Sequence, residues 1–295
     1  MSILTTVLQN FKSKSKRVND KNMAKHILTP ARMADLSAIA GFYTSEYCSP
    51  SGAIDPTVIA TSQGIRCSLN DYGKAFDGLI ENKNGRFHIF LNIADGGNLY
   101  HPRVRFSLAH ELGHYVIGEH FRALSDPRLK PQPSFQNFNM DNKYEVEADY
   151  FASCLLMPED RIKQDLYRRK FEFNLVDELA RKYNVSLTAA LLRFIGIGNY
   201  PIMVVCTRSS KVCWVRYTED FPFRYLLTGA DGSIPQFTSA GEYFYEGTKN
   251  FNKTEVVFAE DWFVLSYATD RRRKFNEYCI YYEPLEQVIS VLWEY

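Results

Sequence analysis

Apolar residues recur along this chain first at helical, then at strand, then again at helical spacing. Met33, Leu36, Ile39 and Ala40 predict a helix from about Ala31, and Asp55-Pro56 opens a short second helix carrying Val58, Ile59 and Ala60 that ends near Gly64. The pattern then changes. Ile65–Leu69, Gly78–Glu81 and Arg86–Asn92 run at strand length, with the hairpin signal Asn84-Gly85 between the last two, so a small antiparallel sheet is expected before residue 100. Pro102 then starts a helix from Arg103 to Ile117, with Val104, Leu108, Leu112 and Val116 four apart and Gly118 as its stop. A loop marked by Pro127, Pro131 and Pro133 leads to a helix over Lys143–Met157, whose stripe is Ala148, Phe151, Ala152 and Leu155 and whose end is Pro158.

Two shorter helices, Leu175–Tyr183 and Ser186–Ile195, are joined by Asn184-Val185 and closed by Gly196 and Gly198. Beyond Tyr200 the segments Ile202–Cys206, Val212–Tyr217, Glu242–Tyr245, Val256–Ala259, Trp262–Tyr267 and Tyr278–Tyr282 read as strands of a sandwich or half-barrel. This predicts an α+β chain: a basic arm and helix over 1–45, a small sheet with helices over 46–198, and a β-rich domain over 199–295.

Composition narrows what such a chain can be. With 295 residues, 45% hydrophobic and 15% aromatic, it fills a real core, which excludes intrinsic disorder and a disulfide-stapled miniprotein. Lys+Arg 35 against Asp+Glu 34 leaves a net charge of +1, so no global field grips nucleic acid or an anionic membrane. The Lys-rich stretch Lys12–Lys25 reads as a solvated arm. Neither a signal peptide nor a spanning segment is evident, and six scattered cysteines without Cys-x-x-Cys suit reduced thiols, so a soluble cytoplasmic protein is expected.

The candidate chemistry lies in His110-Glu111-Leu112-Gly113-His114. Residues four apart on a helix differ by only about 40° around its axis, so both imidazoles can face one ion. Glu111 sits beside that stripe, where a carboxylate serves a water as general base without taking a ligand position. Zn²⁺ suits such ligands, and its catalytic sites keep three protein donors and one open place, which makes amide hydrolysis the natural reaction. The predicted strand Arg86–Asn92, just before this helix, is placed to align an extended substrate.

Two residues compete for the third ligand. His120 falls near a downstream histidine spacing, but the glycine that spacing needs is Ile117, with Gly118 one place late. The rival is Glu145, four residues from Asp149 on one face of the next helix, so that Glu145 can bind the ion while Asp149 orients a histidine. Glu147, on the opposite face, reads as an acid complementing the helix dipole. Gly113, Ala148 and Ala152 are small enough to let the two helices approach closely. For the oxyanion, Tyr115, His120 and Tyr144 are candidate donors among which the sequence does not choose.

The run Arg105-Phe106-Ser107-Leu108-Ala109-His110-Glu111-Leu112-Gly113-His114, with Glu145-Val146-Glu147-Ala148-Asp149-Tyr150-Phe151-Ala152 and Leu155-Leu156-Met157-Pro158, resembles the ImmA/IrrE family of zinc metallopeptidases. The resemblance covers residues 54–198. It implies a minimal zincin-like α+β domain in which His110, His114 and Glu145 bind zinc and Glu111 activates water. It also implies an intracellular protease that cuts a regulatory protein such as a helix-turn-helix repressor, switching on stress-response or element-transfer genes. The β-rich tail would then sense a signal or recruit substrate. The alternative is a non-catalytic zinc protein that binds a repressor, antitoxin or small ligand through that tail. Residues 179–190 also resemble a helix-turn-helix, but Ser186, Thr188 and Arg193 are too few polar residues to read bases, and the segment is expected to pack in the core instead.

Overall fold

The computed structural model describes residues 28–48, 52–94, 96–126, 142–198 and 200–295. The basic arm and the proline-marked segment 127–141 lie outside the described residues. The chain divides into two compact units with a boundary after Ile197. Both are mixed or β-rich, as the α+β pattern predicts.

Several helices of the first unit begin at a residue whose side chain caps their first amides. Helix α1 (Pro30–Tyr47) is capped by Thr29, which accepts from Arg32 N, and α2 (Pro56–Ser62) by Asp55, which accepts from Thr57 N. Three strands follow: β1 (Arg66–Asn70), β2 (Gly78–Lys83) and β3 (Arg86–Asn92). The turn between β2 and β3 uses Asn84 at φ 55° and Gly85 at φ 78°, the left-handed pair that two-residue hairpins need. The sheet order is β1-β3-β2. β2 pairs antiparallel with β3, and β1 runs parallel to it. The sheet is therefore mixed, not wholly antiparallel. β3 is its centre, bonded on both sides, so the expectation that Arg86–Asn92 aligns a substrate fails; among the described residues the edge strands are β1 and β2.

Helix α3 (Pro102–Val116) begins at His101, whose ring accepts from Arg103 N at 3.3 Å. Gly118 does not stop it: Ile117 is the extended cap, and Gly118 opens a new helix, α4 (Gly118–Ser125), in the stretch expected as loop. After residue 142 come α5 (Lys143–Leu156), α6 (Glu159–Asp165), α7 (Phe173–Tyr183) and α8 (Leu187–Ile197). α6 was not expected, its apolar content being a single buried Ile162. Asn184, in the left-handed conformation at φ 50°, ends α7. The face of the helix-turn-helix-like segment is buried at Leu179, Ala180, Tyr183, Ala190 and Leu191, as a core role requires.

α3 and α5 pack at very short range. A Cβ on Gly113 would lie 3.0 Å from Phe151 Cδ1 and 3.2 Å from Ala148 Cα. The buried Arg105 fixes the other side of α3, donating to the backbone oxygens of Ile54, Tyr183 and Asn184. These contacts hold the histidine helix against α5 on one face and against the ends of α2 and α7 on another.

The second unit is one antiparallel sheet of order β5-β4-β8-β7-β6, built from β4 (Ile202–Arg208), β5 (Lys211–Tyr217), β6 (Thr254–Phe258), β7 (Lys274–Tyr282) and β8 (Gln287–Glu294). It is a single sheet and not a two-sheet sandwich. Met203, Val205, Trp262, Phe263, Phe275 and Leu292 share its core. Glu242–Tyr245 is helical, part of α9 (Ser239–Glu246), because Thr238 caps its start and Gly247 at φ 73° ends it. The stretch expected as a strand over Trp262–Tyr267 begins instead as the end of a helical turn, Ala259–Trp262, fixed by Asp261 accepting from Phe258 N. Among the described residues no helix is long and apolar enough to cross a membrane.

Candidate metal centre

Helix geometry brings His110 and His114 to one side of α3, and the close packing at Gly113 lets α5 deliver Glu145 to them. His110 Nε2 lies 3.2 Å from Glu145 Oε2, His114 Nε2 lies 3.3 Å from Glu145 Oε1, and the two Nε2 atoms are 3.0 Å apart. His110, His114 and Glu145 could hold a metal ion, all their candidate ligand atoms falling within 4.8 Å of one another. Two imidazoles and one carboxylate form a donor set of the kind that borderline metals take.

Asp149, one helical turn beyond Glu145, meets His110 from behind, with Oδ1 2.8 Å from Nδ1. A proton held on Nδ1 by this carboxylate leaves the Nε2 lone pair free for the cluster. Burial disfavours a charge on His110, yet the hydrogen bonds from Asp149 and Glu145 raise its pKa well above the ordinary value. Burial likewise pushes Glu145 upward, but the two histidines outweigh it and hold the carboxyl far below the usual carboxylate range. Negative charge is thus stabilised where a cation would sit.

Glu111 is buried, at 1% exposure, and lies under the first residue of β2. A Cβ on Gly78 would stand 2.6 Å from Glu111 Oε1, so only glycine leaves room for the carboxylate there. Gly78 was read only as a strand residue; nothing in the local sequence marks a contact 33 positions away.

His120 does not join the cluster. Its Nε2 lies 3.1 Å from Glu147 Oε2, and its ring centroid is 5.1 Å from that of His114 and 4.5 Å from that of Tyr144. Burial and the neighbouring His114 lower its pKa to about 4 despite Glu147, so the ring is neutral near pH 7. The neutral ring can donate from Nε2 to Glu147. Glu147, expected only to complement the helix dipole, is 2% exposed and bound by Arg32 of α1 at 2.6 Å and by Lys143 at 3.3 Å. The reason is a long-range ion pair that helix periodicity cannot reveal. Tyr144 is exposed, and Tyr115 packs against Phe87 and Phe121, centroids 5.0 and 5.5 Å away.

Comparison with known proteins places a family likeness over the segment that carries these residues. Residues 80–194 match the sequence model of the peptidase M78 family, described as the IrrE N-terminal-like domain. No curated protein matches significantly. Among solved structures, a Mycobacterium tuberculosis transcriptional regulator aligns with a TM-score of 0.53 at 13% identity, over 88% of this chain and 76% of that one. At that identity the likeness concerns the fold alone. The matched segment carries β3, α3, α5 and the cluster between them, and over residues 80–194 the chain is similar to the ImmA/IrrE family of metallopeptidase-like proteins.

Proposed function

We propose that the chain is a zinc-dependent endopeptidase of narrow specificity, acting in the cytoplasm on a regulatory protein such as a helix-turn-helix repressor. The observation that carries this reading is the convergence of His110, His114 and Glu145, with Asp149 behind His110 and Glu111 as the next residue along α3. Zn²⁺ held by those three side chains would polarise the scissile carbonyl and bring the pKa of a water down to about 7. The protein's own residues do the rest. Glu111 accepts the proton of the attacking water and passes it to the nitrogen of the leaving amine. Asp149 keeps His110 in the tautomer that presents Nε2. β2, the edge strand of the described sheet, begins over Glu111 and would offer backbone groups to an extended substrate. The repressor as substrate rests on the family resemblance, and a transcriptional regulator among the structural neighbours is compatible with it.

The test uses purified full-length chain, loaded with zinc and mixed with a candidate repressor. Cleavage that stops on chelation and is lost in Glu111→Gln, with metal content unchanged, is expected. Cleavage at the parent rate in Glu111→Gln would overturn the mechanism. A zinc-loaded chain that binds the repressor without cutting it would instead make the protein a non-catalytic regulator.

A further inference from the structure

The β4–β5 hairpin contains an irregularity at a chemically reactive place. Cross-strand pairing runs Cys206 opposite Trp214 and then Thr207 opposite Val212, with the register shifting between Cys206 and Thr207. Cys213 is the extra residue of a β-bulge, and Cys213 and Trp214 together oppose Cys206. Side-chain direction confirms this. Val212 and Val215 both pack against the core of the second unit, as do Met203 and Val205 on β4, so Cys213 and Cys206 share the other face of the hairpin. A bulge sets its two residues opposite one residue of the partner strand, so Cys213 stands beside Cys206 across the ladder. Cys206 is buried and Cys213 exposed, both as free thiols.

We propose that Cys213 and Cys206 form a peroxide-reactive dithiol, with Cys213 as the attacking thiol and Cys206 as the resolving one. The Cys213 thiolate attacks one peroxide oxygen and breaks the O–O bond, giving a sulfenic acid and hydroxide, which takes up a proton to become water. The Cys206 sulfur then attacks the sulfenyl sulfur; the S–S bond forms and the hydroxyl leaves as a second water with the Cys206 proton. Two thiols are oxidised by two electrons, and one peroxide is reduced to two waters. The electrostatics suit this division of labour. The hydrogen bond from Cys206 draws the Cys213 pKa down to about 7 against the effect of burial, with Arg208 acting in the same direction. By contrast burial pushes Cys67 up to about 11 and raises Cys48 and Cys279. Thiolate character and access, the two requirements for oxidation, coincide at Cys213.

The experiment treats the folded full-length chain with hydrogen peroxide, blocks remaining thiols with iodoacetamide, and digests it with trypsin. Cleavage after Arg208 and Lys211 separates the two cysteines, so a disulfide appears as peptides 194–208 and 212–216 joined together and released by reductant. That product is expected at peroxide concentrations that leave Cys48 and Cys67 alkylated. Cys213→Ser, at an exposed position, should abolish it. Cys206→Ser should stop at a Cys213 sulfenic acid that dimedone traps. Should Cys206→Ser not fold, dimedone trapping in the parent at early times reads the same intermediate. The proposal is overturned if Cys213 stays reduced while other cysteines oxidise, or if it couples only to a second chain.

Discussion

Gly78 Cα leaves the space in which the Glu111 carboxylate lies: a Cβ there would meet Oε1 at 2.6 Å and Cγ at 3.0 Å. Gly78→Ala must therefore move the proposed general base, since Glu111 is buried and Gly78 is anchored in a strand. Displacements of this size cost about 100-fold in rate, and overpacking costs about 1–3 kcal/mol in stability. The expected result is turnover down by ~10- to 100-fold with zinc content unchanged, measured by peptide cleavage beside metal analysis. Full activity in Gly78→Ala would show that Glu111 has another place to sit.

Asp149 Oδ1 lies 2.8 Å from His110 Nδ1, the contact that in the proposed mechanism fixes the His110 tautomer. Removing such a partner typically weakens metal binding by about 10- to 100-fold. Asp149→Ala should lose zinc to a competing chelator at correspondingly lower chelator concentration, whereas Glu145→Ala should lose it outright and His120→Gln should keep it. Zinc loss in His120→Gln equal to that in Glu145→Ala would restore His120 as a ligand.

The Arg32–Glu147–His120 chain ties α1 and α4 to α5. Glu147→Ala leaves Arg32 and His120 without their shared carboxylate. Because Arg32 keeps some solvent contact, the cost should be about 2–4 kcal/mol, toward the lower end of the range for breaking buried pairs. Urea unfolding would measure it, and zinc stoichiometry in the folded variant should stay at one. An unchanged midpoint would mean that the pair adds nothing.

In the second unit the buried carboxylate of Glu277 accepts from Ser239 N at 3.0 Å, Trp262 Nε1 at 2.9 Å and Ser290 Oγ at 3.0 Å. It therefore holds the start of α9 on β7. Glu277→Ala strands several buried donors, each costing about 1–3 kcal/mol, and should destabilise the chain by ~3 kcal/mol or more. A thermal melt checks this, and a change below about 0.5 kcal/mol, the level of an ordinary surface substitution, would refute it.

Alkylation reads the thiolate directly, so a lowered pKa moves reactivity to lower pH. Cys213, with its pKa drawn down to about 7, should reach half its maximal iodoacetamide rate near neutrality. Cys67, pushed up to about 11, should still be rising in alkaline buffer. Parallel pH–rate curves for the two cysteines would contradict this.

The features legible in the sequence are those set by short-range geometry. The four-residue spacing of His110 and His114, the pairing of Glu145 with Asp149 and the small residues Gly113 and Ala148 are all facts about one or two helices, and the structure brings those side chains together. What was missed depends on distant partners. Glu147 reads as a mere dipole partner because Arg32 lies 115 positions away, and Gly78 reads as an ordinary strand residue because its neighbour is on another element. In the tail, aromatic-rich Glu242–Tyr245 mimics a strand, and only the cap at Thr238 and the carboxylate of Glu277 turn it into a helix. β8 was overlooked although Ile289, Val291 and Trp293 alternate with Val288, Ser290 and Leu292, because a strand buried at nearly every position shows no polar face.

The placement of β8 has a kinetic consequence. The order β5-β4-β8-β7-β6 leaves two ribbons, β4 with β5 and β6 with β7, that share no ladder until the last strand in chain order slides between them. Two-stranded ribbons are only marginally stable by themselves. Assembly of this unit therefore waits on its most sequence-distant pairing, Ile202 with Trp293, and the loop-closure entropy of that step should set the pace of its folding.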